Sequence, residues 1–184
     1  MFQLSHFKYY EDSNVQVVDL PYTEDGMSAV IILPKSGIDI NNYINKLWNK
    51  EDNDIKSIIK KLSYSKVKLE LPKFELNFEL SLNEVLKNAG MFTAFMDYAD
   101  FSGLRKDGGI KIDEVIHKAY LKVNENGTEA AAVTYGGMAG SSLHPPEEVI
   151  YEMKVNRPFL FLLRSNRLPE DYDLLFMAKI EELK

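Results

Sequence analysis

The sequence predicts an α+β protein in which strands outnumber helices. Short runs of β-branched and aromatic residues recur along the chain, bounded by Pro, Gly, Asn and Asp, as is typical of strands and turns. Only three segments space their apolar residues as amphipathic helices do. Hydrophobic residues make up 45% of the 184 residues, which is enough for one domain with a packed core. We expect about eight strands and three helices.

The first third of the chain predicts a β-hairpin followed by two short helices. The runs NVQVVDLPY and MSAVIILP flank Asp25-Gly26, a dipeptide that strongly favours a hairpin turn. Over residues 39–62 the apolar positions recur at helical spacing, with an interruption near residues 50–53. This spacing predicts two helices, each with one apolar face.

The remaining elements are one further helix and six strands. The run KVKLELPKFELNFEL alternates apolar and polar residues on both sides of Pro72, which predicts two consecutive half-buried strands. Ser81 and Glu84 have the spacing of a capping box, so a helix should begin at Ser81, and Gly90 should end it. The run IKIDEVIHKAYLKV predicts one long strand. Three more are expected from EVIYEMKV, RPFLFLLR and YDLLFMAKI.

The charge and composition exclude several classes of partner. The net charge is −6, from 28 acidic and 22 basic residues without long runs, which argues against nucleic-acid binding and against a polybasic membrane surface. No apolar run approaches the roughly 20 residues of a membrane helix, and the first residues show no signal-peptide pattern. The chain has no Cys, so disulfides, thiolate metal sites and Cys nucleophiles are excluded while the compartment stays open.

Motifs of catalysis and cofactor binding are also missing from the sequence. His117 follows Asp113 by four residues, a same-face pair in a strand, but no third metal ligand follows and a structural histidine is favoured. No Ser lies in a G-x-S-x-G elbow, so a Ser–His–Asp triad has no support. The glycines of GGMAG, residues 136–140, lack the Lys of a phosphate-binding loop. The acidic pairs Glu147-Glu148 and Glu181-Glu182 are interpreted as solvated. We therefore expect no enzyme, no metal and no cofactor.

Residues 123–146, VNENGTEAAAVTYGGMAGSSLHPP, are poor in large apolar side chains although both neighbouring segments are strands. Their first part resembles the hinge of inhibitory serpins, which reads roughly Glu-x-Gly-Thr-Glu-Ala-Ala-Ala-x-Thr. The matching positions are Glu125, Gly127, Thr128, Glu129, Ala130, Ala131, Ala132 and Thr134. The later run MKVNRPFLFLL resembles the serpin signature, and FKYYEDSNVQVVDLPY, LELPKFEL, LKNAGMFTAF and ADFSGL resemble other serpin segments in order.

This resemblance to the serpin superfamily implies a serpin fold, with mixed and antiparallel sheets and a few helices, of which residues 1–184 form the C-terminal portion of a single domain. It implies a serine endopeptidase inhibitor. In such inhibitors a protease cleaves the reactive loop, here about residues 125–148, and the loop then inserts into the central sheet and traps the enzyme. An inserting strand buries every second side chain, and one face of this hinge consists only of small residues, whereas a flexible linker requires no such alternation. That face comprises Thr128, Ala130, Ala132 and Thr134.

The resemblance also indicates the cleaved bond. In inhibitory serpins the scissile residue follows the hinge glycine by fourteen positions, which places the bond between Ser141 and Ser142. No Lys or Arg occurs over residues 135–146, so trypsin-like targets are disfavoured. Elastase-like proteases fit best, and chymotrypsin-like cleavage at Met138 or Leu143 is the alternative.

Two further positions correspond to structural residues of the family. Lys73 and Glu125 resemble the ion pair beside the entry point of the loop, and this family role is preferred to that of an ordinary surface pair. His117 resembles the histidine that is hydrogen-bonded beneath the central sheet. Asn126 begins the sequon Asn-Gly-Thr within the hinge, where a glycan would block insertion, so we expect it to be unmodified. The family default location is extracellular, with the cytoplasm as the alternative.

The matched segments all come from the C-terminal half of a serpin, and residues 1–3 resemble an internal serpin segment. We therefore expect a fragment, which by itself should be cleaved without trapping the protease because the strand on the other side of the insertion gap is missing. The exposed strand edge should also promote self-association. Two alternatives stay open: an inactive serpin fragment, and a non-inhibitory serpin that acts as a binding module.

Overall fold

The computed structural model describes residues 1–22, 26–48, 55–124, 148–169 and 173–182. Within these residues it is an α+β structure with mixed and antiparallel sheets and a few short helices, which confirms the predicted fold class. The elements are β1 (Phe2–Glu11), β2 (Val15–Pro21), β3 (Met27–Pro34), α1 (Ile40–Trp48), α2 (Ile55–Lys60), β4 (Ser63–Glu70), β5 (Phe74–Ser81), α3 (Asn83–Asn88), a 3-10 turn (Thr93–Phe95), β6 (Ile116–Val123), β7 (Ile150–Lys154), β8 (Phe159–Ser165) and β9 (Leu174–Ile180).

The strands form two sheets. A seven-stranded sheet has the order β7-β4-β1-β2-β3-β8-β9, and a two-stranded sheet pairs β5 with β6. In the larger sheet β4 and β7 are parallel, whereas the other neighbouring pairs are antiparallel. By its contacts the chain divides into two compact units, one of Met1–Phe74 with Val123–Lys184 and one of Glu75–Lys122. That the whole chain belongs to a single domain stays a prediction.

The predicted hairpin is β2–β3. Its register pairs Pro21 with Ser28, and the Tyr22 N–H donates to the Met27 carbonyl at 2.9 Å. Gly26 has φ +62°, a conformation that residues with a Cβ rarely adopt, which explains the glycine of the Asp-Gly signal. The preceding turn residues 23–25 lie outside the described residues.

The core of the larger unit lies on both faces of β2, β3 and β8. On one face Val30 and Leu162, both fully buried, pack with Tyr43 of α1 and Ile58 of α2. The two predicted helices are thus confirmed, and each buries the apolar face that its periodicity indicated. Residues 49–54, between them, lie outside the described residues.

The opposite face of this sheet carries a group of three aromatic rings. The Phe74 ring meets Phe159 edge-on at 5.5 Å between centroids, and meets Phe161 in the same way at 5.7 Å. All three side chains are buried, with exposed fractions of 8%, 0% and 1% for Phe74, Phe159 and Phe161. Edge-on contacts of this kind bring the positive ring edge to the negative ring face. Phe74 is therefore packed against the face of the large sheet.

The predicted capping box of α3 is wrong, and the predicted end is confirmed. Ser81 is the last residue of β5, so it remains in a strand and the helix begins at Asn83. No side chain caps the first turn, and Glu84 pairs with Lys87 at 2.8 Å. Gly90, with φ +100°, ends the helix.

The hydrogen bonds after α3 form a Schellman motif. The Gly90 N–H donates to the Lys87 carbonyl at 3.0 Å, and the Met91 N–H donates to the Leu86 carbonyl at 2.9 Å. These bonds satisfy two carbonyls that the end of the helix would otherwise leave without donors.

The long strand expected over residues 110–123 is shorter in the structure, because β6 begins only at Ile116. The backbone before it bonds elsewhere: the Ile112 N–H donates to the Ala94 carbonyl at 2.9 Å, and Val115 accepts from the Leu82 N–H at 2.8 Å. Asp113 therefore precedes the strand, and the expected same-face pair with His117 is wrong.

The two strands expected around Pro72 both exist, but they belong to different sheets. In β4 the inward residues Val67 and Leu69 are buried, as a half-buried strand requires. In β5 only Phe74 is buried, so the expectation that this strand is half-buried is wrong. Alternation showed which residues share a face but not whether that face is covered.

Candidate functional site

Most of the predicted site lies within residues 125–147, which are outside the described residues. Both residues of the predicted reactive bond, Ser141 and Ser142, are in that segment. The hinge positions Glu125, Gly127, Thr128, Glu129, Ala130, Ala131, Ala132 and Thr134 are also within it. Their roles stay predictions. The structure describes the two strands that hold this segment, β6 before it and β7 after it, together with Lys73 and His117.

One face of the two-stranded sheet is charged. Lys118 of β6 pairs with Glu79 of β5 at 2.9 Å, and Lys122 pairs with Glu75 at 3.4 Å. From the first pair to the second, the residue number rises by four in β6 and falls by four in β5, as in an antiparallel ladder. All four side chains are more than half exposed, so water screens them and they add little stability. They keep this face polar.

The other face of the same sheet is apolar. Leu76, Phe78 and Leu80 alternate along β5, and the rings of Phe78 and His117 lie 6.3 Å apart at 61°. Phe78 is 44% exposed and Leu80 is 43% exposed, which is high for residues of this size. His117 is exposed and contacts an aromatic ring. Its predicted hydrogen bond beneath the central sheet stays a prediction.

Lys73 lies at the start of β5. It is exposed, and it lies between Pro72 and the buried Phe74. The Lys122–Glu75 pair brings the end of β6 beside the start of β5. Its predicted partner Glu125 lies outside the described residues, so this ion pair stays a prediction.

On the other side of the segment, Glu148 is held by two basic residues. Its carboxylate accepts from Lys66 Nζ at 2.9 Å and from His6 Nε2. Lys66 first, and then His6, lower the pKa of Glu148. Glu148 is exposed, as expected for the Glu147-Glu148 pair. No sequence pattern indicated its partners, which are 82 and 142 residues away.

From Glu148 the chain enters β7, the edge strand of the large sheet. β7 pairs in parallel with β4, from Ile150 opposite Lys66 to Lys154 opposite Glu70. The Glu152 carboxylate accepts from Lys68 Nζ at 2.9 Å, and its carbonyl accepts from Gln16 Nε2 at 2.9 Å. These contacts therefore hold the chain to the large sheet within a few residues after residue 147.

The run MKVNRPFLFLL connects β7 to the core. Met153 and Val155 are buried, and four successive residues of β8, Phe159 to Leu162, are buried on both faces. Arg157 donates from Nε to the Pro34 carbonyl at 2.7 Å, and burial lowers the pKa of its guanidinium. The motif therefore anchors the C-terminal side of the segment in the centre of the larger unit.

Within the described residues no group of His, Cys, Asp and Glu could hold a metal ion, and no helix is long and apolar enough to cross a membrane. The described arrangement holds the two ends of one segment on two different sheets. Such an arrangement can present a segment to another protein.

The serpin (serine protease inhibitor) family model matches residues 1–183. The leukocyte elastase inhibitor of Sus scrofa is 32% identical over 185 residues, which cover 95% of this chain and 45% of that protein. Tengpin, a thermophilic serpin solved in its native state, matches with a TM-score of 0.74 at 32% identity, covering 100% of this chain and 46% of its own. Human thyroxine-binding globulin matches with a TM-score of 0.78 at 26% identity, covering 100% and 45%. The chain thus spans about half the length of the relatives it matches.

Proposed function

This chain belongs to the serpin family, and on that premise we propose that it is the portion of a serine endopeptidase inhibitor that carries the reactive loop. The protease cleaves the reactive loop, about residues 125–148, becomes acylated, and is trapped when the loop inserts into the central sheet. The chain acts as a pseudosubstrate and performs no catalysis of its own. It needs no cofactor.

One observation carries this proposal: β6 leads into the hinge and has an open edge. Among the described residues β6 pairs only with β5, so the N–H and C=O groups of its other edge have no strand beside them. An open edge accepts an additional strand through main-chain hydrogen bonds. The hinge begins two residues after Val123, the end of β6, which puts a candidate strand next to a place where it could pair.

The composition of the hinge supports the same proposal. A strand inserted into a covered sheet buries alternate side chains. Burial of a charged side chain without a partner costs roughly several kcal/mol. Thr128, Ala130, Ala132 and Thr134 form one face of the hinge and are all small, whereas Glu129 lies on the other face. Insertion therefore places the carboxylate in solvent.

We propose Ser141–Ser142 as the reactive bond and elastase-like proteases as the targets, with chymotrypsin-like proteases as the alternative. A small residue on the acyl side of the bond suits a narrow specificity pocket. The name of the leukocyte elastase inhibitor, a relative at 32% identity, supports the same class of target. We propose an extracellular location as the family default, and the cytoplasm is the alternative.

The test has two arms. Incubation of the chain with pancreatic elastase should produce a cut between Ser141 and Ser142, identified by mass spectrometry, and elastase activity should recover. A chimera that joins the N-terminal part of the leukocyte elastase inhibitor to residues 1–184 should instead form an adduct that survives SDS. In the first arm, Ser141→Arg should direct trypsin to the same bond. Cleavage elsewhere in the chain would refute the assigned bond, and a cleaved chimera without an adduct would refute trapping.

The second candidate is a non-inhibitory serpin that acts as a binding module, and the structural match to thyroxine-binding globulin favours keeping it. The chimera separates the two functions. A binding module is cleaved as an ordinary substrate, whereas an inhibitor retains the protease. An inactive fragment behaves as the binding module does in this assay but binds no ligand.

A further inference from the structure

A cleft lies between the β1–β2 turn and the two helices of the larger unit. Its volume is about 300 Å³. The floor is apolar, formed by Val15, Leu47 and Ile58, whose exposed fractions are 1%, 4% and 5%. A volume of this size is at the lower end of the range for small-molecule sites, so it suits a ligand of about two fused rings.

Two lysines line the rim of this cleft. Lys46 projects from α1, Lys61 follows α2, and both are exposed. Neither forms an ion pair with any residue that the structure describes. Lys61 Nζ lies 5.5 Å from the centroid of the Tyr10 ring, so its ammonium rests over an aromatic face at the mouth of the cleft. The rim therefore offers two positive charges beside an apolar floor.

The carboxylate of Asp12 also lines the cleft, but both of its oxygens already accept hydrogen bonds. Oδ1 accepts from the N–H groups of Asn14 at 2.7 Å and Val15 at 3.0 Å, and Oδ2 accepts from the Tyr10 hydroxyl at 3.1 Å. These bonds hold Asp12 in the turn, since they form between residues two or three positions apart. Asp12 thus shapes the β1–β2 turn, and among the described residues it forms no ion pair with either lysine.

A buried phenol completes the lining. Tyr43 is 8% exposed, and its hydroxyl forms no hydrogen bond within the described part of the chain. Burial, together with the charge of Asp12, raises the pKa of Tyr43. The hydroxyl therefore keeps its proton at neutral pH and can donate to an oxygen of a ligand.

We propose that this cleft binds a small aromatic carboxylate. The ring system would lie on Val15, Leu47 and Ile58, and the carboxylate would lie between Lys46 and Lys61 within reach of the Tyr43 hydroxyl. Apolar area favours the ring, and two ammonium groups that form no ion pair with any described residue favour a negative over a neutral ligand. The site uses none of residues 125–148, so it is independent of the proposed inhibitory function.

The test uses the whole chain with 2-naphthoate as the probe and 2-naphthamide as its neutral analogue. We expect saturable binding of 2-naphthoate in calorimetry, with the amide binding about tenfold more weakly. The double variant Lys46→Gln/Lys61→Gln should weaken 2-naphthoate binding about tenfold and leave binding of the amide unchanged. A matched control is Lys118→Gln/Lys122→Gln, which removes the same charge from the polar face of β6 and should bind as the wild type does.

Three results would overturn the proposal. They are no binding of 2-naphthoate at millimolar concentration, equal affinity for the acid and the amide, and equal weakening by the two double variants. The last result would show that only the net charge of the chain matters. All four lysines are exposed, so the variants should fold, and far-UV circular dichroism verifies this.

Discussion

Replacement of Phe74 by Ala should destabilise the chain far more than the same substitution four residues later in β5. Phe74 is 8% exposed and meets the rings of Phe159 and Phe161 edge-on, whereas Phe78 is 44% exposed. Removal of a buried Phe side chain forfeits its transfer free energy and leaves a cavity, for a total of about 3–5 kcal/mol. Phe78→Ala loses only part of the transfer free energy, about 1 kcal/mol.

Urea unfolding monitored by circular dichroism measures the difference. With a slope of about 2 kcal/mol per M, Phe74→Ala should lower the midpoint by about 2 M, and Phe78→Ala should lower it by about 0.5 M. Phe74→Leu keeps most of the apolar volume and loses the edge-on contacts, so it should lie between them at about 1–2 kcal/mol. Equal midpoints for the Phe74 and Phe78 variants would refute the assignment of Phe74 to the core.

Three further predictions concern the hinge and a buried acid. In the chimera, Thr128→Arg should abolish the SDS-stable adduct while cleavage continues, because a guanidinium would have to be buried. Glu129→Arg, on the opposite face, should leave the adduct intact, and equal effects of the two would contradict the alternation. Asn126 should carry no glycan in protein from its native source, as judged by intact mass; a glycan there together with inhibition would contradict the insertion proposal. Asp19 is buried, and burial raises its pKa against the opposing effects of Ser28, Lys8 and Arg164. Ionisation therefore destabilises the fold as pH rises through that raised pKa, so Asp19→Asn should be more stable at pH 8, with the advantage lost near pH 3, where the acid is protonated in both states. An advantage that is the same at both pH values in urea unfolding would exclude Asp19 as the cause.

Local patterns predicted most elements correctly. The β2–β3 hairpin, the two helices over residues 39–62, and the Gly90 helix end each depend on residues within a few positions of one another. Backbone sterics and side-chain periodicity act over that range, so the chain expresses them directly in its order of residues. The hinge assignment comes from the resemblance of consecutive residues to the family, and it stays a prediction.

The errors share a physical cause as well. Ser81 and Glu84 have the spacing of a capping box, but pairing of β5 with β6 keeps Ser81 in a strand. Residues 110–115 alternate as a strand does, yet their backbone bonds to Ala94 and Leu82. In both places the backbone hydrogen bonds are made with residues remote in sequence, and these bonds override the local preference.

Order and spacing along the chain were enough to indicate the family and the α+β class, whereas the residues of the hinge and the reactive bond stay predictions. The folded structure was needed to show which strands pair, that β4 and β5 enter different sheets, and that Phe74 is buried while Phe78 is exposed. It alone brought His6 and Lys66 to Glu148, and Lys46 and Lys61 to the rim of one cleft. The reason is that pairing and burial depend on contacts between residues remote in sequence, whose positions no local pattern encodes.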